Sequence, residues 1–124
     1  SEDIKIAENM REKSYSPYSK FSVGCVLVCK NGKKYTGCNI ENSSYGLSLC
    51  AERNAIGTAI ANGEKKIKAI AIFSPNSEYC YPCGACRQVL SEFKSDEGLV
   101  VITDGSEGIK TKSLDELLPE SFVL

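Results

Sequence analysis

Phe21-Ser22-Val23-Gly24-Cys25-Val26-Leu27-Val28-Cys29, with Asn31-Gly32 just beyond it, is the stretch on which the fold turns. From Val23 onward the run is almost continuously apolar, which predicts a strand covered on both faces rather than one face open to water. Asn-Gly is the strongest short hairpin signal, so residues 34–40 are expected to return as the antiparallel partner. Upstream, Ile4, Ala7 and Met10 recur at helical spacing, with acids in the first turn and Ser1 as a candidate cap. That predicts a helix over residues 2–13, joined to the strand by the turn-rich segment 14–19.

Downstream, apolar helical faces and apolar runs alternate. Ala55, Ile56, Ala59 and Ile60 mark a helix over 49–61, stopped at Asn62-Gly63 and capped at Ser48, which places Cys50 in its first turn. Residues 67–73 read as a second buried strand, ended by Ser74-Pro75-Asn76. A helix over 83–94 carries Ala85, Val89, Leu90 and Phe93 on its apolar face. A third strand over 99–103, a turn at Asp104-Gly105 and a short edge strand over 109–111 follow. Ser113-Leu114-Asp115-Glu116 opens a last helix as a capping box, closed off at Pro119. An opening hairpin followed by alternating strands and helices argues for one α/β domain over residues 1–124, built on a mixed sheet.

Composition limits what such a domain does. The chain has 124 residues, 42% hydrophobic and 25% charged, with a net charge of −1. A polynucleotide-binding face would show as a basic excess, so nucleic acid is not expected as a partner. No segment approaches about 18 consecutive apolar residues, so no membrane span is expected. The acidic Ser1-Glu2-Asp3 is unlike the basic start of a signal peptide, and the expected compartment is cytoplasmic. Seven cysteines, at 25, 29, 38, 50, 80, 83 and 86, fit poorly with a disulfide framework. Cys25, Cys29 and Cys38 read as small core residues. Histidine is absent. Any acid/base or metal chemistry therefore falls to carboxylates and thiolates.

Two segments carry that chemistry: Cys50-Ala51-Glu52-Arg53 and Pro82-Cys83-Gly84-Ala85-Cys86. Each lies at a predicted helix start, where free N–H groups favour thiolate over thiol. Cys83 and Cys86 are one helical turn apart, and Cys50 adds a third sulfur from another helix. Three protein ligands leave one tetrahedral zinc position open for water, the hallmark of a catalytic site. Glu52 is then the candidate general acid/base, and Arg53 is placed to donate to ligand sulfur and offset the charge of three thiolates. Other readings stay open. Cys83-x-x-Cys86 alone suits redox use equally well, Cys80 could close a four-thiolate structural site, and Glu52 with Arg53 could be a solvated charge pair.

These segments, with Tyr18-Ser19-Lys20-Phe21, Gly37-Cys38-Asn39-Ile40-Glu41-Asn42, the continuation Arg87-Gln88-Val89-Leu90 and Leu117-Leu118-Pro119, resemble the zinc-dependent cytidine deaminases. The similarity is to the short, all-cysteine, homotetrameric form and covers nearly the whole chain. It implies a three-layer α/β/α sandwich with a roughly five-stranded sheet, and Zn²⁺ as cofactor. It also implies hydrolytic deamination of cytidine and deoxycytidine in pyrimidine salvage, with Glu52 carrying protons between water, N3 and the departing amino group. By the same resemblance, Asn39 and Glu41 would hold the ribose, Phe21 would pack on the base, and the Ala51 backbone would read the pyrimidine edge. Phe122 from a neighbouring subunit would close the pocket. A pyrimidine nucleoside is the implied substrate, and Glu41 would repel a nucleotide's phosphate. Ser43-Ser44, Ser48-Leu49 and Tyr81 depart from the family pattern and bear on loop detail and substrate preference. Two rivals remain: a relative acting on a cytosine-containing antibiotic such as blasticidin S, and a non-enzymatic zinc or redox module.

Overall fold

The structure is a computed structural model that describes residues 2–122 and 124. Ser1, the candidate cap of the first helix, lies outside the described residues. The elements run α1 (Glu2–Arg11), β1 (Gly24–Cys29), β2 (Lys34–Cys38), a 3₁₀ turn (Tyr45–Leu47), α2 (Ala51–Ala61), β3 (Ile67–Phe73), α3 (Gly84–Phe93), β4 (Val100–Gly105), β5 (Gly108–Ser113) and α4 (Leu114–Leu117). They form a five-stranded sheet in the order β2-β1-β3-β4-β5. β3 and β4 are parallel, and the other neighbours are antiparallel.

The hairpin stretch occupies the position its composition predicts. β1 is buried along its whole length because β2 and β3 flank it and helices cover both faces. Successive side chains of a strand point to opposite faces. Cys25, Leu27 and Cys29 join Ala55, Ile56 and Ala59 of α2, Leu90 of α3 and Leu114 of α4 in the larger core, while Val26 meets Ile4 of α1 and Ala71 on the other side. The result is three layers: α1, the sheet, and the group α2, α3 and α4. Cys25 and Cys29 are core residues as expected, but Cys38, at the end of edge strand β2, is half-buried.

Two glycines allow helix and sheet to approach closely. A Cβ on Gly24 would fall 2.0 Å from the Ala7 carbonyl oxygen of α1, and one on Gly37 would fall 2.5 Å from the Ala51 carbonyl oxygen of α2. Gly37 thus fixes how near the start of α2 lies to β2, and with it the position of Cys50-Ala51-Glu52.

Several boundaries differ from the expectation, each for a local reason. α1 ends at Arg11 rather than 13, and β1 begins at Gly24, because the Val23 N–H is taken by the Asn39 side chain at 2.9 Å. The cap of α2 is Cys50, not Ser48. Leu49 exchanges two backbone hydrogen bonds with Ile40, of 2.8 and 3.0 Å, which keeps the chain extended up to Cys50. Ile60 is 38% exposed, and Ala85 is also exposed, since the buried face of α3 runs through Cys86, Leu90 and Ser91. Asp104 and Gly105 are still strand, paired with Ile109 and Gly108, so the β4–β5 turn sits at Ser106-Glu107 and β5 is longer than the expected 109–111. β2 and β5 are the two edges, and Lys110 and Lys112 of β5 are exposed. Ser113 forms the expected capping box with Glu116.

Candidate metal centre and active site

Cys50 is the N-cap of α2, Cys83 is the N-cap of α3, and Cys86 lies in the first turn of α3. Neither cap is made by a side-chain hydrogen bond, so both thiols are free to turn toward each other. Their sulfurs converge: Cys50 Sγ is 3.9 Å from Cys83 Sγ, Cys83 Sγ is 3.6 Å from Cys86 Sγ, and all three lie within 4.8 Å of one another. Cys80 is not a member of this cluster. Burial pushes its thiol up to about 11, and it lines the neighbouring cavity as a neutral group.

The cluster gathers negative charge in a defined way. Cys50 is held down to about 5, first by the Cys86 thiol donating to it and then by the Arg53 guanidinium, whose Nη2 lies 3.8 Å from Cys50 Sγ. The Cys86 thiol is pushed far up by the same sharing, with burial adding to it. One thiolate is thus ready at Cys50, and a cation sharing the site would favour the thiolate form of Cys86 beside it. Three soft sulfur donors on two helix starts are a donor set suited to Zn²⁺.

Glu52, the second residue of α2, is only 5% exposed. Burial pushes its carboxyl up to about 7, with the negative charge of Cys50 adding to the rise and the backbone N–H of Glu52 opposing it. It faces a cavity of about 450 Å³ that is also lined by Phe21, Asn39, Glu41, Ala51, Cys50 and Cys83. One wall therefore brings together residues from four segments far apart in sequence.

Ser19, Ser48, Cys80 and Tyr81 also line the cavity, as does Ser77, which the sequence did not single out. Asn39 is largely committed to structure: its Oδ1 accepts from Ser14 Oγ and from the Val23 N–H, and its Nδ2 donates to the Phe21 carbonyl at 2.7 Å. Glu41 accepts from the Tyr18 and Ser19 N–H groups at 3.0 and 3.2 Å and from the Ser19 hydroxyl, which holds its carboxyl below the usual range. These bonds fasten the 16–20 turn, where Lys20 adopts a left-handed φ of 61°. Arg53 and Cys86 stand outside the cavity lining. Phe122 does too; the residue is 67% exposed, and its carbonyl accepts from Gln88 Nε2 at 3.1 Å.

Residues 1–103 match the family model of the cytidine and deoxycytidylate deaminase zinc-binding region. The chain belongs to this family. Among curated relatives, the cytidine deaminase of Sporosarcina psychrophila is 41% identical over 96% of this chain and 88% of its own. Among solved structures, the cytidine deaminase of Burkholderia pseudomallei superposes with a TM-score of 0.89 at 42% identity, covering 98% of this chain and 97% of the other. That of Mycobacterium tuberculosis gives 0.84 at 37% identity, covering 97% and 94%. The deaminase family's metal is zinc, and among the described residues Cys50, Cys83 and Cys86 are the cluster that could hold it. No helix among the described residues is long and apolar enough to cross a membrane.

Proposed function

We propose that the protein is a zinc-dependent cytidine deaminase, converting cytidine and deoxycytidine to uridine and deoxyuridine with release of ammonia. The observation that carries this reading is Glu52: a buried carboxyl, raised to about 7, on the wall of a cavity that two of the three clustered thiols share. The relatives named above, all cytidine deaminases, support it.

Cys50, Cys83 and Cys86 hold the zinc. When bound, it supplies a Lewis acid that makes water a nucleophile at neutral pH. Water adds at C4 of the pyrimidine; Glu52 takes the proton that water releases and delivers it to N3. Glu52 then moves the second proton from the added hydroxyl to the departing amino group, so ammonia leaves and the C4 carbonyl remains. A carboxyl that must both accept and donate works best with a pKa near the working pH, and burial provides that. Arg53 donates to the Cys50 sulfur and draws charge from the thiolates.

Phe21 offers the base a ring face, and the Ala51 backbone meets the pyrimidine edge. The sugar hydroxyls reach Asn39 and Glu41. Asn39 has one of its two amide hydrogens committed to Phe21, leaving the other for ribose. A sugar hydroxyl shares Glu41 with Ser19, whose hydroxyl already stands at that carboxylate. Glu41 also disfavours a substrate phosphate, so free nucleosides rather than nucleotides are the substrates. The assembly is a homotetramer in the cytoplasm, with the exposed Phe122 of one subunit closing the cavity of the next.

A spectrophotometric assay of the zinc-loaded protein with cytidine, deoxycytidine, cytosine, CMP and blasticidin S tests this. Loss of the cytidine absorbance with CMP untouched is expected. No turnover of either nucleoside at full zinc occupancy would overturn the proposal.

A further inference from the structure

The segment that delivers Cys83 to the thiol cluster has almost no backbone support of its own. Among the described residues, no backbone–backbone hydrogen bond holds Cys80 or Tyr81, although both line the cavity. At its far end the segment is tied by Arg87, whose Nε donates to the Pro82 carbonyl at 2.7 Å and whose Nη1 donates to the Leu117 carbonyl at 2.9 Å. Its near end is Tyr79, which several contacts fasten to the β4–β5 hairpin.

The Tyr79 N–H donates to the Asp104 carbonyl at 2.9 Å. The Tyr79 hydroxyl donates to the Gly108 carbonyl at 2.9 Å and accepts from the Glu107 N–H at 3.0 Å, spanning the hairpin turn. The ring lies flush on Gly105, where an added Cβ would fall 2.5 Å from Tyr79 Cε2, and Lys110 Nζ sits 4.4 Å from the ring centroid. Beside it, Glu78 Oε1 accepts from the Ser106 N–H at 2.8 Å. Tyr79 itself takes a left-handed φ of 49°, a conformation that a bulky side chain adopts only where its surroundings compel it. That reversal redirects the chain from the hairpin into the cavity wall.

We propose that Tyr79 is a positioning residue for the metal centre: it pins the 79–83 segment to the hairpin, so that Cys83 is presented to Cys50 and Cys86 and the Cys80–Tyr81 wall is held in place. This rests on the reading of Cys83 as a zinc ligand. Residues that hold a ligand in place without touching the metal typically affect metal retention or activity by about 10- to 100-fold.

The test compares the zinc-loaded parent with Tyr79→Asn and Tyr79→Phe. Asparagine suits the left-handed backbone but removes the ring, whereas phenylalanine keeps the ring on Gly105 and loses both hydroxyl bonds. The readouts are the rate of zinc transfer to a chromogenic chelator and the rise in melting temperature that zinc produces over the metal-free form. Tyr79→Asn is expected to release zinc about tenfold faster and to show a smaller zinc-dependent rise, with Tyr79→Phe between it and the parent. KM for cytidine should rise more than kcat falls, because the cavity wall moves with the ligand. A purely structural role would lower the melting temperatures of both forms equally and leave zinc release unchanged, and that result overturns the proposal. If Tyr79→Asn does not fold, parent-like zinc release from Tyr79→Phe overturns it alone. A parent that takes up no zinc would instead sink the functional reading on which the inference rests.

Discussion

Glu52 and Arg53 are adjacent in sequence yet do opposite electrostatic work, because the first turn of α2 points one into the cavity wall and the other at the Cys50 sulfur. Glu52→Gln keeps the shape and all three thiols but cannot carry a proton. Turnover should fall by roughly 10²- to 10⁴-fold while zinc content, measured by metal analysis, stays at the parent level. Arg53→Ala removes the guanidinium from Cys50, and kcat/KM should fall about tenfold with the fold intact by circular dichroism. An unchanged rate at unchanged zinc content would remove its charge-balancing role. At this scale the thiols and Glu52 were legible, since Cys-x-x-Cys and Cys-Ala-Glu are local spacings that a helix start converts directly into geometry. Tyr79 was not: its place depends on a hairpin about 25 residues downstream and on a left-handed backbone that no periodicity announces.

The elements themselves were legible wherever a hydrophobic pattern was long, as in β1 and β3, and illegible where a tertiary contact moved an end. Ser48 reads as a better cap than Cys50 by residue type. It loses because Leu49 pairs with Ile40, a contact between segments that sequence alone does not bring together. α4 is the opposite case, where the capping box is fully local and forms as read. Ser113→Ala should cost about 1 kcal/mol in thermal or urea unfolding. The Ser113 N–H and hydroxyl hold Glu116 below its usual pKa of 4.5. A carboxylate with a lowered folded pKa contributes stability above its unfolded pKa and loses it as pH falls through the folded one. The carboxylate's share of the capping contribution should therefore be complete above about 4.5 and be lost at lower pH, while the Ser113 hydroxyl still accepts from the Glu116 N–H, so the parent and Ser113→Ala unfolding curves draw closer together in acid without merging.

Across the whole molecule, the thiol cluster joins two helices whose starts are 33 residues apart at Cys50 and Cys83. Stripping zinc with a chelator should abolish turnover and lower the melting temperature, and adding zinc back should restore both. A site whose free ligand stands about a thousandfold above Kd contributes about 4 kcal/mol by mass action, a shift that calorimetry resolves readily. Layering and the mixed sheet followed from the order of apolar runs. Composition and periodicity say nothing of an assembly, because exposed apolar residues such as Tyr45, Leu47 and Phe122 look alike in sequence whether they meet water or another subunit. The sheet's free border has a further consequence. β5 ends the sheet, and the open side of an edge strand is the kind of template on which identical chains stack into aggregates. With Lys110 and Lys112 exposed on that strand, a second copy of β5 laid alongside would bring like charges together, which opposes edge-to-edge stacking.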